Sequence, residues 1–146
     1  MVQTTVSISS SEKPRRRISR IVLGTERGSE GPQSQAEFTV IRSDLLRANY
    51  GQNPWQEVNL AITSVSWVSM IDDARESLLR AHWDLIIVDE AHKMSASSRE
   101  NPTMAYKLGR ELSERTDHFL LMTATPHKGD PAHFTRFLEL LDKDLY

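Results

Sequence analysis

The distribution of apolar residues divides the chain into a polar beginning and a patterned remainder. Residues 1–36 are rich in Ser, Gly and Arg and contain one short apolar run, Ile21-Val22-Leu23. Such a segment buries too little apolar surface to offset the entropy lost on ordering. We therefore expect residues 1–36 to form a poorly ordered or divergent N-terminal segment and residues 37–146 to form the folded domain.

Four segments of the remainder predict β-strands. EFTVIR, around Val40, alternates apolar and polar residues, and VNLAITSV, around Ile62, is apolar and rich in β-branched residues. Residues 85–88 and 119–122 are continuous apolar runs. Continuous runs of this length are typical of strands in a parallel sheet that is covered on both faces.

Three segments carry apolar residues at helical spacing. They are residues 67–81, NPTMAYKLGRELSER (despite Gly109) and GDPAHFTRFLELLD, where Asp130 is expected to cap the helix and Pro131 to begin it. The stretch LLRANYGQNPWQE, between the first two strands, is predicted to be a loop. Strands alternate with helices, so the predicted fold class is α/β, a parallel sheet flanked by helices. Three tryptophans are predicted to lie in the core or at its edge: Trp55, Trp67 and Trp83.

Length, charge and composition narrow the class of protein. The chain has 146 residues, the size of one domain, and its formal net charge of −2 predicts no strong global attraction to nucleic acid or membrane. It has no cysteine, which excludes disulfides and cysteine-ligated metal centres. It has neither the apolar region of a signal peptide nor a run of about 18 apolar residues. We therefore expect a cytoplasmic protein with no membrane segment.

Two acids, Asp89 and Glu90, directly follow the predicted strand that ends at Val88. In open parallel sheets, ligands bind beyond the carboxyl ends of the strands. One acid can hold Mg²⁺ through water, because Mg²⁺ keeps much of its hydration shell, while the other orients or deprotonates a water aimed at a phosphate. The alternative is that one acid merely caps the next helix, and the two acids alone do not decide between these interpretations.

The residues around these acids resemble a known family. VDEAHKM resembles the Walker B box of the DEAH-type superfamily-two helicases, with Asp89-Glu90-Ala91-His92 in register. LLMTATPHKGDP resembles the third helicase motif, in which Thr123-Ala124-Thr125 follows the next apolar strand. Including LLRANYGQNPWQEVNLAITSVSW and FLELLDKDLY, residues 38–146 resemble the Swi/Snf-type helicase-like ATPases, particularly their prokaryotic members. The resemblance implies part of the first RecA-like motor domain.

The resemblance also implies roles for individual residues. Asp89 would coordinate the Mg²⁺ of Mg·ATP, and Glu90 would activate the attacking water. His92 would sense the nucleotide and contact the coupling motif, where Thr123 and Thr125 would link nucleotide state to domain closure and DNA engagement. Simpler alternatives remain open: a hydrogen-bonded histidine with no catalytic part, and threonines that serve only the turn before the following proline.

A motor ATPase needs a phosphate cradle, G-x-x-x-x-G-K-[ST], and the 146 residues contain none. The nearest stretch, GTERGSEG at residues 24–31, has the wrong glycine spacing and no Lys-Ser or Lys-Thr. We therefore expect a motor fragment that by itself hydrolyses ATP poorly or not at all. It would depend on a missing P-loop segment and a second motor domain, or on a partner chain. We also expect an exposed sheet edge, unless the run Ile21-Val22-Leu23 adds an edge strand.

Three functions compete at this point. The first is part of an ATP-dependent DNA helicase or translocase, and the second is an inactive remnant or regulatory module that binds DNA or a motor partner. The third is a metal hydrolase with the candidate ligands His127, Asp130 and His133. The spacing of these three residues matches no familiar zinc motif. DNA would be bound through its phosphates. The candidate contacts are Lys93, Lys128 and the cluster Arg15-Arg16-Arg17, for which solvated surface is the simpler interpretation.

Overall fold

The structure is a computed structural model that describes residues 20–24, 38–96, 100–125, 131–142 and 144. Five parallel strands form a single sheet in the order β2-β3-β1-β4-β5. The strands are β1 (Arg20–Gly24), β2 (Thr39–Val40), β3 (Leu60–Ser64), β4 (Leu85–Val88) and β5 (His118–Leu121). The predicted α/β class with a parallel sheet is confirmed.

The helices of the described residues lie between these strands and after β5. They are α1 (Ser43–Ala48), α2 (Pro54–Glu57), α3 (Val65–Met70), α4 (Asp72–Arg80), α5 (Met104–Arg115) and α6 (Pro131–Glu139), with a 3-10 helix at Ala91–Met94. The sequence predicted one helix over residues 67–81, whereas the structure has two. They are separated at Ile71, whose extended backbone (φ −99°, ψ 114°) interrupts the helical hydrogen bonds. None of the helices described here is long and apolar enough to span a bilayer.

The stretch predicted to be a loop between β2 and β3 contains the short helices α1 and α2. The turn between them includes Gly51, whose φ of 85° lies in the left-handed region that glycine tolerates. Asn53 then caps α2, because its side-chain oxygen accepts a hydrogen bond from the backbone N–H of Trp55 at 3.1 Å. The prediction of a loop therefore holds only for the turn around Gly51, and the helices α1 and α2 on either side of it were missed.

The run Ile21-Val22-Leu23 lies in the centre of the sheet, not at its edge. Strand β1 pairs in parallel with β3 on one side and with β4 on the other. Ile21 and Leu23 are fully buried. The sequence suggested this run only as an exception, an added edge strand, and the structure corrects that position. An apolar run within a polar sequence does not reveal that both of its partners come later in the chain. The boundary at residue 37 stays a prediction, and residues 1–19 and 25–37 lie outside the described residues.

One face of the sheet packs against the helices and forms the core. Alternate residues of the three central strands are buried there: Ile21, Leu23, Ala61, Thr63, Ile86 and Val88. The helices α3, α4 and α5 contribute Val68, Leu78, Leu108 and Leu112 to the same apolar cluster. Trp55 and Trp83 are almost fully buried and Trp67 packs partly buried against the core, so the prediction for the tryptophans is confirmed.

The opposite face carries a row of apolar side chains across all five strands. The pairing register places the row in the order Val40, Ile62, Val22, Ile87 and Leu120. Its two ends are exposed, Val40 by 51% and Leu120 by 46%. Parallel sheets are usually covered on both faces. This face is therefore much less protected than the face under α3, α4 and α5.

Candidate functional site

The two acids of the DEAH box lie where three neighbouring strands end. Val88, the last residue of β4, pairs with Leu23 of β1 and with Leu121 of β5. The backbone N–H of Asp89 donates to the carbonyl oxygen of Leu23 at 2.8 Å, so β4 stays paired with β1 as far as the first acid. The exposed Asp89 and the half-buried Glu90 thus lie at the carboxyl edge of the sheet, where the sequence predicted a site.

Glu90 adopts a left-handed backbone conformation, with φ 53° and ψ 42°. It is the one non-glycine residue with a positive φ in the described part of the chain. Two hydrogen bonds hold this conformation. The N–H of Glu90 donates to Oδ1 of Asp89 at 2.9 Å, and the N–H of Ala91 donates to the carbonyl of Met122 at 2.9 Å. A left-handed residue with a side chain costs about 1–2 kcal/mol. Strain of this kind clusters at functional sites, which makes Glu90 a candidate.

His92 contacts both the DEAH box and the segment after β5. Its Nδ1 atom lies 3.3 Å from Oε2 of Glu90 and 3.1 Å from the hydroxyl oxygen of Thr123. The side chain of His92 is 15% exposed and that of Glu90 is 44% exposed. A ring nitrogen carries at most one proton, so the tautomer decides whether Nδ1 donates to the carboxylate or accepts from the hydroxyl. One atom thus connects the predicted catalytic acid to the predicted coupling motif.

The two threonines of the TAT motif take different positions. The hydroxyl oxygen of Thr123 lies against His92 and also accepts a hydrogen bond from the backbone N–H of Thr125 at 3.2 Å. Thr125 itself is exposed. Of the five residues predicted for the site, the structure therefore brings Asp89, Glu90, His92 and Thr123 together, while Thr125 takes part through its backbone N–H.

Helix α6 braces the segment that follows the DEAH box, a contact the sequence did not predict. The hydroxyl of Ser95 donates to the carbonyl of His92 at 2.7 Å, and its oxygen also lies 3.4 Å from Nδ1 of His133. The guanidinium of Arg136 donates to the carbonyl of Ala96 at 3.0 Å. These partners are 38 and 40 positions apart, so no local pattern could have indicated them.

The other candidate residues are only partly covered by the structure. Lys93 is exposed on the 3-10 helix, beside the acids. His133 is half-buried on α6. Lys128, His127 and Asp130 lie outside the described residues, as does the cluster Arg15-Arg16-Arg17. The metal-hydrolase interpretation therefore stays a prediction.

Comparison with known proteins identifies the family. The SNF2-related domain matches residues 15–146, most of the chain. The chain belongs to the SNF2-related family. The resemblance to Swi/Snf-type helicase-like ATPases is thereby confirmed, and the match begins before β1, whereas the sequence resemblance extended only over residues 38–146. The chain corresponds to part of a helicase-like motor domain.

Individual relatives support the same assignment. The chain is 40% identical over 96 residues to the RNA polymerase-associated protein RapA of Actinobacillus pleuropneumoniae serotype 5b (strain L20), an alignment that covers 65% of this chain. It is 41% identical over 95 residues, 64% of this chain, to RapA of Yersinia pestis (strain Pestoides F). The matched region covers 10% of either relative. The chain thus spans about a tenth of the length of the relatives it matches.

Proposed function

We propose that this chain is part of an ATP-dependent DNA helicase or translocase motor and carries the residues that handle Mg·ATP and report its state. The contact of His92 with both Glu90 and Thr123 is the observation that carries the proposal. It connects a carboxylate at the carboxyl edge of the sheet to a second motif on the neighbouring strand. An acid that served only as a helix cap would not require this connection.

The two acids suit different tasks. Asp89 is exposed and would hold the Mg²⁺ of Mg·ATP through water, since Mg²⁺ is usually bound by one or two carboxylates and retains several waters. When bound, Mg²⁺ supplies neutralising charge to the phosphates. The carboxylate of Glu90 is half exposed, so water can reach it, while the left-handed backbone and His92 restrict its position. Glu90 would orient the attacking water and accept its proton.

His92 and Thr123 would transmit the state of the site. A change at Glu90 alters what Nδ1 of His92 contacts, and therefore alters the hydrogen bond to Thr123. Thr123 and Thr125 lie in the segment after β5 and are joined by a hydrogen bond from the backbone N–H of Thr125 to the hydroxyl oxygen of Thr123. A rearrangement at the acids would therefore be passed to this segment, where we place the coupling to domain closure and DNA.

A phosphate cradle that serves Asp89 and Glu90 would lie on a strand near β4. Both positions beside β4 are already taken, by β1 and β5, and the sequence after β1 contains no Gly-Lys-Ser or Gly-Lys-Thr. Among the strands that the structure describes, the nearest open position is the outer edge of β5, roughly 10 Å from β4 at the usual strand spacing. The backbone N–H of His118 donates to the carbonyl of Asp84, just before β4, and that of Met122 donates to the carbonyl of Val88 in β4. The N–H groups of Phe119 and Leu121 therefore point away from β4, toward the open edge. We propose that the strand bearing the P-loop pairs there.

A second candidate is a regulatory module that binds DNA or a motor partner without turnover. The sequence carries the DEAH and TAT residues but no phosphate cradle, which favours this alternative for the 146 residues on their own. Lys93, exposed beside the acids, would contact DNA phosphates under either proposal. Because the relatives are named RNA polymerase-associated proteins, we propose a cytoplasmic transcription complex as the setting of the longer motor.

ATP turnover by the purified chain, with and without duplex DNA and beside a Glu90→Gln variant, tests the proposal first. Glu90→Gln removes the proposed base and preserves its size. We expect no turnover above this variant for the chain alone. DNA-stimulated turnover that disappears in Glu90→Gln would support the roles of the acids and contradict the requirement for a P-loop.

The same variant in a longer protein that includes the P-loop tests the acids directly. There, Glu90→Gln should retain ATP binding and lose hydrolysis, because binding depends on the cradle and the metal. Unchanged hydrolysis in that protein would contradict the catalytic role of Glu90.

A further inference from the structure

A second group of metal-ligating side chains lies at the opposite end of the sheet from the DEAH box. His82 and Asp84 precede β4, and Asp117 precedes β5. One ligand atom from each residue can be chosen so that all three atoms lie within 4.8 Å of one another. In the described residues this is the one such group of three. The three residues lie at the amino ends of two neighbouring parallel strands, whereas the proposed nucleotide site lies at the carboxyl ends. The two sites therefore share no residue.

The backbone that carries these three side chains is held by several hydrogen bonds. Trp83, between His82 and Asp84, is 2% exposed. The hydroxyl of Thr116 donates to the carbonyl of Trp83 at 2.8 Å, which joins the segment before β5 to the segment before β4. The N–H of His118 donates to the carbonyl of Asp84 at 3.1 Å and joins them again, on the other side of Asp117. The spacing of the ligands is therefore preset by the sheet and not by a flexible loop.

The ligand types favour one class of cation. One imidazole nitrogen and two carboxylate oxygens suit a first-row divalent ion such as Zn²⁺, whereas Mg²⁺ and Ca²⁺ prefer oxygen ligands alone. Three protein ligands leave a fourth, open position of a tetrahedral zinc ion to water. Two carboxylates also match the charge of a divalent ion.

One distance in the group already fits this ion, and all three ligand atoms lie within 4.8 Å of one another. Zinc–ligand bonds of about 2.0–2.2 Å place tetrahedral ligand atoms about 3.3–3.6 Å apart. Nε2 of His82 lies 3.6 Å from Oδ1 of Asp84, within that range. The side chain of His82 is 54% exposed and that of Asp84 is 17% exposed. Asp117 is also exposed, so rotation of its side chain can bring the third oxygen closer without disturbing the core.

We propose that His82, Asp84 and Asp117 form a binding site for Zn²⁺ or a similar divalent transition-metal ion at the amino ends of β4 and β5. The ion would connect the segments that lead into the strand of the DEAH box and the strand of the TAT motif. It would thereby stabilise the pairing of β5, which is a sheet edge in the described structure. This proposal does not depend on the proposed ATPase function.

Titration of the purified 146-residue chain with Zn²⁺, followed by calorimetry and by Tm, tests the site. We expect binding of one equivalent and a rise in Tm. His82→Ala and Asp117→Asn should each weaken the affinity at least tenfold, and both residues are exposed, so neither change should prevent folding. His118→Ala is the matched control, because His118 is exposed next to Asp117 but is not in the group, and it should leave the affinity unchanged.

Three results would overturn the proposal. They are the absence of Zn²⁺ binding, an affinity that His82→Ala and Asp117→Asn leave unchanged, and an equal loss of affinity in His118→Ala. The first would show that the 3.6 Å contact between His82 and Asp84 does not serve a metal ion. Asp89→Asn separates this site from the proposed Mg²⁺ site, since Zn²⁺ binding should survive that change.

Discussion

Nδ1 of His92 lies 3.1 Å from the hydroxyl oxygen of Thr123, although the two residues are 31 positions apart. The parallel pairing of β4 with β5 produces this proximity, because both residues follow the ends of these strands. The same nitrogen is 3.3 Å from the carboxylate of Glu90. The segment 89–92 and the segment 123–125 are therefore connected by a direct side-chain contact.

A double-mutant cycle should detect this contact. Thr123→Val and His92→Ala remove the partners separately, and the free energies of unfolding should show a coupling of about 0.5–1.5 kcal/mol, the net value of one hydrogen bond. Denaturant unfolding of the four proteins measures it. Thr123→Val combined with His118→Ala serves as the control, and these changes should be additive, since His118 is exposed at the opposite end of β5. Additivity in the first cycle would contradict the contact.

The left-handed backbone of Glu90 predicts that glycine and alanine at this position differ in their effect on stability. Glu90→Gly and Glu90→Ala both remove the carboxylate, but only glycine relieves the strain at φ 53°. The Gly variant should therefore be more stable than the Ala variant by about 1 kcal/mol, the conformational cost of a side chain in this region. Denaturant unfolding gives the difference. An Ala variant as stable as the Gly variant would show that the backbone relaxes at this position.

The hydrogen bond between Trp55 and Ser77 should be important for stability. The indole N–H of Trp55 donates to the hydroxyl of Ser77 at 2.9 Å, and both residues are buried. Ser77→Ala leaves this N–H without its partner, so the free energy of unfolding should fall by about 1–3 kcal/mol. Thermal unfolding followed by tryptophan fluorescence measures the loss. Ser113→Ala, an exchange at a more exposed site on α5, is the control and should change stability little.

Gly109 in α5 is explained by close packing. A Cβ atom added there would lie 3.1 Å from Sδ of Met94 and 3.4 Å from two methyl carbons of Leu140. Gly109→Ala gains about 1 kcal/mol of helix propensity and loses part of it to this crowding, which flexible Met94 can relieve, so stability should change by less than about 1 kcal/mol. Gly109→Val should destabilise by about 1–3 kcal/mol or more. Equilibrium unfolding of both variants tests the packing of α5 against Met94 of the 3-10 helix and Leu140, the residue that follows α6.

The exposed apolar row predicts self-association. Leu120 lies at its end, on the sheet edge, and is 46% exposed. Leu120→Lys should reduce association, because exposed apolar edge strands promote intermolecular pairing and lysine opposes it. Light scattering at increasing protein concentration measures this effect. Ser66→Lys adds the same charge at an exposed position of α3 and should leave association unchanged. A monodisperse parent chain would contradict the prediction.

Local patterns were sufficient to recognise most elements. The apolar runs before Asp89 and before Thr123 predicted β4 and β5, and the spacing of apolar residues predicted α5 and α6. The break at Ile71 was missed, because the apolar periodicity continues across it while the backbone does not. The candidate site was recognisable for a similar reason: its acids and threonines directly follow strands, and strand ends meet at one edge of a parallel sheet.

The sequence by itself thus determined the α/β class, the order of the motifs and the family, since each depends on residues close together in the chain. Only the tertiary structure decided that β1 lies between β3 and β4. It also decided that Nδ1 of His92 contacts both Glu90 and Thr123, and that ligand atoms of His82 and Asp117 lie within 4.8 Å of each other. Strand order and side-chain contact depend on pairing between distant segments. The free energy of that pairing comes from the burial of shared apolar surface, and a local pattern does not specify which surfaces are shared.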